Sequence, residues 1–187
     1  MIPTFTTKRL TIRPFSLNDA ESFHRNYAAD ESNHKYYAAP VYTLAKIRYL
    51  IEYWEIRQKR GGEARWAIEN NSNHEVIGII ALYFNKQSLS GEVCFGIGKE
   101  YWGSGLMREA LDELFRYGFN TLKLEKIIAA CDVRNKRAVG VIKKCGMSYE
   151  KTVQEDCSEC CYFNIYKRVN TLKQKMEDSS GSMPNSV

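Results

Sequence analysis

The key segment of this chain is Phe95-Gly-Ile-Gly-Lys-Glu-Tyr-Trp-Gly-Ser-Gly-Leu-Met-Arg-Glu-Ala110, because it joins two stretches with different periodicities. Residues 93–97 form an apolar run that is too short for a helix and suits a strand. From Met107 to Leu122, apolar residues recur at helical spacing. Gly103-Ser104-Gly105 therefore falls where a strand passes into a helix.

Such a turn is well suited to binding an anion. Backbone N–H groups at a helix N-terminus have no intrahelical partners, and the helix dipole makes that end positive. Glycine has no Cβ, so an anion can approach those amides closely. We therefore predict a phosphate-binding turn at Gly103-Ser104-Gly105.

The two common nucleotide-binding motifs do not match this turn. No Gly-Lys-Ser/Thr follows at the Walker spacing, and the dinucleotide fingerprint requires a glycine where this chain has Arg108. The fingerprint also opens a βαβ unit, whereas this turn follows several strand-like segments. An isolated Gly-x-Gly fits an ordinary strand-to-helix turn equally well, so the choice depends on the rest of the sequence.

Four stretches, read in order, form a more specific pattern. They are Thr7-Lys-Arg-Leu-Thr-Ile-Arg-Pro14, Gly91-Glu-Val-Cys-Phe95, Tyr101-Trp-Gly-Ser-Gly-Leu-Met-Arg-Glu-Ala110, and Asp132-Val-Arg-Asn-Lys-Arg-Ala138 with Lys144-Cys-Gly-Met147. Together they resemble the GCN5-related N-acetyltransferase (GNAT) superfamily, and within it the Rim-type branch of ribosomal-protein N-terminal acetyltransferases. The resemblance implies the acyl-CoA N-acyltransferase fold, with one GNAT domain over residues 1–170.

The periodicity of the whole chain agrees with an α/β (α+β) fold of this kind. The predicted strands are residues 6–14, 64–70, 75–84, 91–98, 126–132, 148–155 and 160–168. The predicted helices run from the capping segment 16–19 to residue 29, and over residues 43–60, 105–121 and 135–144. We expect a mixed, mostly antiparallel sheet with flanking helices. The resemblance implies that this sheet splays open beside the strand at 91–98.

The composition fits one globular domain. The chain has 187 residues and 44% hydrophobic residues, enough for one core but short for two domains. No apolar stretch reaches membrane-spanning length, and the N-terminus lacks a signal-peptide layout. We expect a cytoplasmic monomer or homodimer with no membrane partner. The polar segment 171–187 is predicted to be a disordered tail.

The net charge of +5 is concentrated in one window. Residues 123–151 hold eight basic and three acidic side chains, and so account for the whole excess. A solvated helix face is one interpretation; a nucleic-acid surface is another, but the window lacks interleaved aromatic residues. A ligand with several phosphates, such as coenzyme A, explains the position better. No nucleic-acid partner is predicted.

The six cysteines do not predict a metal site. Cys94, Cys131 and Cys145 lie in apolar or helical contexts and are expected to be small buried hydrophobes. Cys157-x-x-Cys160-Cys161 is the one cluster, and no second pair of ligands has metal-type spacing. We predict reduced thiols and no metal.

The resemblance implies acetyl transfer from acetyl-CoA to a primary amine, either a protein N-terminal α-amine or a small amine, by direct attack. Matching positions give the predicted cofactor contacts, which are Phe95, Ile97, Trp102, Gly103, Ser104, Gly105, Leu106, Met107, Arg108, Asn135 and Ala138.

Two residues are predicted to be catalytic. Glu92 is the candidate base because it lies on the splayed strand near the thioester, although a solvent-facing strand residue would look the same. Asn135 matches the asparagine beside the pantetheine arm, and it also suits the N-cap of the helix at 135–144.

The chain departs from the family pattern in three ways. Ala138 replaces a serine, Glu100 replaces an arginine or glutamine, and no tyrosine lies near the helix at 135–144 to protonate the leaving thiol. These departures leave open an alternative, a non-catalytic acyl-CoA-binding module with the same fold. The aromatic residues between 27 and 54 fit either an acceptor groove or ordinary core.

Overall fold

Eight strands form one sheet in the computed structural model, which describes residues 2–36, 41–155 and 158–167. In sheet order they are β1 (Phe5–Thr6), β2 (Leu10–Pro14), β3 (Glu63–Asn70), β4 (Glu75–Asn85), β5 (Ser90–Ile97), β6 (Lys126–Asp132), β8 (Glu159–Tyr166) and β7 (Ser148–Gln154). Neighbouring strands are antiparallel except β5 and β6, which are parallel. The predicted mixed, mostly antiparallel sheet is confirmed.

The described helices flank this sheet. They are α1 (Ala20–Phe23), α2 (Glu31–His34), α3 (Leu44–Arg60), α4 (Leu106–Asn120) and α5 (Lys136–Lys144). A 3-10 turn at Leu17–Asp19 precedes α1, and a π-helical turn at His24–Ala28 follows it. In the described ranges, no helix is both long and apolar enough to cross a bilayer.

Two sequence predictions were wrong near the N-terminus. The strand predicted over residues 6–14 is a small hairpin, because the Thr7 N–H donates to Leu10 O at 2.9 Å and Thr7 Oγ1 accepts from the Leu10 N–H at 3.0 Å. These two bonds close a turn and fold β1 back on β2. The helix predicted up to residue 29 is interrupted by the π-helical turn, and the short helix α2 was not predicted.

The core lies on both faces of the sheet. On one face, α4 buries its apolar stripe, including Met107, Leu111 and Leu114, against the central strands. On the other face, α1 and α3 bury residues such as Phe23 and Ile47 against β3 and β4. Full burial of such a side chain contributes about 1.5–3 kcal/mol. The two layers hold β5 in place from both sides.

Candidate active site

The sheet is open between β5 and β6. Only Ser90–Glu92 pair with Lys126–Ile128, so the facing edges of the two strands separate from Val93 onward. β5 keeps its pairing with β4 as far as Ile97. An unpaired strand edge beside a gap allows an extended ligand to add as a further strand. The gap predicted beside this strand is therefore present.

The gap leads into a cleft between β5 and α5. Six of the predicted contact residues line this cleft, namely Phe95, Ile97, Trp102, Met107, Asn135 and Ala138. The other five do not line the cleft but lie in the glycine turn and in the first residues of α4. They are Gly103, Ser104, Gly105, Leu106 and Arg108. The lining residues absent from the predicted contacts include Tyr27, Asn33, Tyr36, Arg137 and Val141.

The glycine turn has the backbone geometry expected of an anion site. Gly103 and Gly105 have φ angles of 75° and 79°, in the left-handed region that favours glycine. A Cβ on Gly103 would meet no atom within 4 Å, so the turn is open on that side. Gly105 is the N-cap of α4, and the first N–H to bond back to it is that of Glu109, at 3.2 Å. The amides before Glu109 belong to the first turn, where no intrahelical acceptor exists.

Glu109 braces this turn against the N-terminal hairpin. Its carboxylate accepts hydrogen bonds from Thr7 Oγ1 at 2.5 Å and from Arg9 Nε at 2.8 Å. Arg9 Nη1 in turn donates to the Ser104 carbonyl at 2.9 Å. Burial opposes ionisation of Glu109, but the bonds from Thr7 and Arg9 outweigh it and hold the Glu109 pKa below its usual value. This carboxylate positions the turn.

Trp102 and Arg137 contact each other at the cleft. The Trp102 indole Nε1 donates to the Ile97 carbonyl at 2.9 Å, which ties the loop to the end of β5. The Arg137 guanidinium lies 3.6 Å from the centre of the Trp102 ring, a cation–π contact. A fixed positive charge therefore lies in the cleft beside the glycine turn. Sequence reasoning missed Arg137 as an individual residue, and its one signal was the basic window.

The end of β6 places Asn135 in the cleft. Asp132 Oδ1 accepts from the Arg134 N–H at 2.8 Å and from Arg134 Nε at 2.9 Å. The hydrogen bonds from Arg134 lower the Asp132 pKa to about 2. The Asn135 N–H donates to Asp132 O at 2.9 Å, and Asn135 Oδ1 accepts from the Ala138 N–H at 3.1 Å. Asn135 is thus the N-cap of α5, and its catalytic role stays a prediction.

Gly96 is required by a close contact on the other face of β5. A Cβ at Gly96 would lie 2.1 Å from Tyr27 Oη, because the π-helical turn brings the Tyr27 ring against the strand. A Cβ at Gly98 would lie 2.1 Å from the Asn26 carbonyl oxygen. π-Helical turns inside helices occur frequently at functional sites. Both glycines therefore allow the helix to approach β5.

Glu92 lies where the two strands separate. It faces Tyr83 of β4 and Ile128 of β6, and its side chain is exposed. It does not line the cleft, so its role as base remains a prediction. Glu100, the unexpected acid before the glycine turn, is exposed in the 3-10 turn Lys99–Tyr101.

The cysteines differ in their surroundings. Cys145 is buried as expected, but Cys94 is exposed, because it lies on the open face of β5. Desolvation raises the Cys94 pKa to about 11 and the Cys145 pKa to about 12, so both are neutral thiols at pH 7. Cys131 Sγ lies 3.6 Å from Cys161 Sγ. Cys157 is outside the described residues.

The basic window is partly neutralised by its own acids. Lys126 Nζ lies 3.2 Å from Glu150, and Arg134 Nη2 lies 2.5 Å from Asp132. Of the α5 cations, Arg137 lines the cleft. In the part of the chain that the structure describes, no three His, Cys, Asp or Glu side chains form a metal-binding group.

A second pocket, of about 310 Å³, adjoins the cleft and shares Tyr27 and Phe95 with it. It lies between α1, α3 and the face of β3 to β5. Of the aromatic residues from 27 to 54, Tyr27, Tyr42 and Trp54 line this pocket, whereas Tyr49 and Tyr53 are exposed. Tyr37 is outside the described residues. The expectation of core packing is met by Tyr27, Tyr42 and Trp54, which pack against the buried cluster under α1 and α3, and is wrong for Tyr49 and Tyr53. An acceptor groove at these aromatics stays a prediction.

Comparison with known protein families identifies the family of this chain. The acetyltransferase (GNAT) domain family matches residues 9–148. The chain belongs to the GNAT acetyltransferase family. This confirms the predicted superfamily and enzyme class, and acetyl-CoA is the co-substrate that the family uses.

GNAT relatives cover most of the chain. It is 27% identical over 158 residues to YoaA, an uncharacterized N-acetyltransferase of Bacillus subtilis, covering 83% of this chain and 88% of the relative. A ribosomal-protein-S5-alanine acetyltransferase of Vibrio fischeri has a TM-score of 0.78 at 16% identity, covering 88% of this chain and 97% of that chain. The microcin C7 self-immunity acetyltransferase MccE, in complex with acetyl-CoA and AMP, has a TM-score of 0.79 at 17% identity, covering 86% and 94%. These two structures show the shared fold.

Proposed function

We propose that this GNAT enzyme transfers the acetyl group of acetyl-CoA to a primary amine, either a protein N-terminal α-amine or a small amine. The observation that carries the proposal is the unpaired edge of β5 beyond Glu92, next to a left-handed glycine turn at the start of α4. One element suits an extended amide-containing arm and the other suits a pyrophosphate. Acetyl-CoA contains both groups in one molecule.

The donor side follows from this arrangement. The backbone of Phe95 and Ile97 pairs with the pantetheine arm, and the amides of the Gly103–Arg108 segment bind the pyrophosphate. Leu106 is buried in the core, so it offers only its backbone. Arg137 adds a positive charge at the cleft wall. The Ala138 N–H donates to Asn135 Oδ1, which caps α5, and the alanine side chain has no hydroxyl that could donate to the ligand.

The transfer is a direct attack. The amine nitrogen bonds to the thioester carbonyl carbon, the carbon–sulfur bond breaks, and coenzyme A leaves as the thiol. Glu92 first takes a proton from the ammonium, directly or through water, to give the free amine that attacks, because it is the carboxylate where the strands part. After the attack the nitrogen loses a second proton, and this proton passes to the departing thiolate. Backbone N–H groups on the open edge of β5 stabilise the oxyanion.

Donor binding is tested by thermal stabilisation. A ligand that binds only the folded state at 100 times its Kd stabilises by about 2.7 kcal/mol. Gly105→Glu brings a carboxylate to the phosphate turn and should abolish the stabilisation by acetyl-CoA. Gly61→Glu is the matched control, because Gly61 also caps a helix with a φ of 82° but lies at the end of α3. If both variants keep the stabilisation, the turn does not bind the pyrophosphate.

Catalysis is tested by the release of free thiol from acetyl-CoA with a panel of amines and N-terminal peptides. Glu92→Gln should lower kcat by about 100-fold or more while acetyl-CoA still stabilises the protein. The matched control is Glu52→Gln, an exposed carboxylate on α3. Acetyl-CoA binding without thiol release for any amine would instead indicate the non-catalytic acyl-CoA-binding module. Peptides tested beside small amines examine the Rim-type assignment, which the likeness in fold to the Vibrio fischeri enzyme supports.

A further inference from the structure

The pocket next to the cleft has a strongly biased lining. Most of its walls are apolar or aromatic, with Phe23, Tyr42 and Trp54 on the helical side and Ile79 and Tyr83 on the sheet side. Within the described chain, none of the residues that line it is acidic. An amine substrate with several positive charges would therefore meet no carboxylate in this pocket. The walls instead favour an apolar or aromatic body.

Arg65 is the charged residue in the pocket lining. It projects from β3, and its side chain is 12% exposed. The guanidinium lies 5.5 Å from the centre of the Trp54 ring and 5.1 Å from that of Tyr83, and its Nη2 donates to Tyr83 Oη at 2.7 Å. Contacts with two aromatic side chains therefore hold the guanidinium in place.

The charge of Arg65 is not fully neutralised by the protein. Its Nη1 lies 3.1 Å from Glu63 Oε2, a charge contact that is not aligned as a hydrogen bond. Glu63 also accepts a hydrogen bond from Arg57 Nε at 2.7 Å, so one carboxylate serves two guanidinium groups. Nη1 is buried and donates to no atom in the described ranges. Because Glu63 is shared with Arg57, the two guanidinium groups together keep a net positive charge at this end of the pocket.

Arg65 lies at the end of the pocket away from the thioester. Its Cα faces Ala81 of β4, which faces Cys94 of β5, so two strand spacings, about 10 Å, separate Arg65 from the strand that borders the donor cleft. The guanidinium points further away, toward Tyr83 and Glu63. The shared wall of Tyr27 and Phe95 is the end at which the amine must meet the thioester.

We propose that the acceptor is a primary amine on an apolar or aromatic body with an anionic group at its far end, and that Arg65 binds this anionic group. The proposal rests on the acetyltransferase function proposed above and names its substrate class. A small amino-carboxylate and a peptide N-terminus with an acidic residue near the amine have the same chemistry. The experiment therefore includes both sources.

The test compares matched acceptors by thiol release. The small-molecule arm uses 4-(2-aminoethyl)benzoic acid, its uncharged analogue 2-phenylethylamine, and spermidine as the polycation. The peptide arm uses short peptides that differ only by Glu or Lys at the second or third position. The anionic member of one arm should have a kcat/KM at least about tenfold higher than its neutral or cationic counterpart, as expected for a hydrogen bond to a charged group.

Arg65→Gln should lower kcat/KM for the anionic acceptor by about 10- to 100-fold and change that of the neutral acceptor by less than about threefold. Arg65→Lys should keep part of the preference. The control is Arg48→Gln, which removes an exposed guanidinium on α3 that neither pairs with Glu63 nor lines the pocket.

Stabilisation by acetyl-CoA is measured for each variant, so loss of folding or of donor binding is recognised separately. The proposal is overturned if neutral or cationic amines are preferred, or if Arg65→Gln affects all acceptors equally. It is also overturned if acetyl-CoA stabilises the protein but no anionic amine reacts or adds to that stabilisation. Failure of acetyl-CoA to bind refutes the proposed function itself.

Discussion

Replacing Gly96 by alanine drives a methyl group into the ring of Tyr27. The added Cβ would lie 2.1 Å from Tyr27 Oη, 2.5 Å from Cζ and 2.7 Å from Cε2, whereas carbon atoms in contact are normally about 3.5–4.0 Å apart. The ring cannot move freely, because it stacks on Phe23 with centroids 5.3 Å apart. Either the π-helical turn or β5 must therefore shift by about 1 Å or more.

The cost of this overpacking is about 1–3 kcal/mol. In a chain of this size, a loss of that magnitude lowers Tm by about 2–12 °C. Gly140→Ala is the control with the opposite sign, because Gly140 lies inside α5 and an added Cβ would meet no atom within 4 Å. Alanine in a helix interior is more stable than glycine by about 0.5–1 kcal/mol, so this variant should gain about 1–4 °C.

The assay is thermal unfolding of both variants, followed by a double-mutant cycle with Tyr27→Leu. Leucine lacks the three atoms that collide with the added Cβ, so Gly96→Ala should cost at least about 1 kcal/mol less in that background. The reasoning is refuted if Gly96→Ala leaves Tm unchanged, or if its cost is the same with tyrosine and with leucine at position 27.

Three further predictions concern the ionisation of Asp132 and Cys94 and the contacts of Glu109 with the N-terminal hairpin. Asp132 has a pKa of about 2 in the folded protein, below its usual value. Its carboxylate therefore stabilises the fold above about pH 4, and this effect is lost as the pH falls toward 2. The Asp132→Asn variant should be less stable at pH 7, and its Tm should change less than that of the parent between about pH 4 and pH 2. Glu109→Gln should destabilise the protein by about 1–3 kcal/mol at pH 7, because it removes the charge that Thr7 and Arg9 stabilise. The pKa of Glu109 lies below its usual value, so protonation in acid removes the same charge from the parent protein, and the difference in Tm between the two proteins should shrink there. Cys94 has a pKa of about 11 because of desolvation, so at pH 7.5 it should react with iodoacetamide at least about tenfold more slowly than an unperturbed thiol, despite its exposure. The labelling rate is followed by peptide mass spectrometry, and rapid labelling of Cys94 would contradict the desolvation argument.

Local periodicity was sufficient where an element depends on its own residues. The strand predicted over residues 126–132 has the bounds of β6, and the helix predicted over 135–144 differs from α5 by one residue. The predicted hairpin at 64–84 is also present as β3 and β4. These segments have clear periodicity, and turn or capping residues mark several of their ends.

Contacts between distant residues were not predictable in the same way. Glu109 and Arg9 are 100 positions apart, and no periodicity indicates that their side chains meet. The stacking of Arg137 on Trp102 depends on α5 lying across the glycine turn. The π-helical turn that brings Tyr27 onto Gly96 adds one residue to a helical turn, which the helical pattern does not reveal. Tertiary packing decides these features.

The two substrates are brought together by a single strand. The edge of β5 beyond Glu92 faces the donor cleft, whereas the face that carries Cys94 forms a wall of the acceptor pocket. Gly96 lies between the two regions and, lacking a side chain, lets Tyr27 form a wall common to both. A shift of β5 therefore changes the donor and acceptor sites at the same time. For this reason Gly96→Ala, which touches neither the glycine turn nor Arg65, should weaken acetyl-CoA stabilisation and amine turnover together, whereas Gly105→Glu should act through the donor and Arg65→Gln through the acceptor.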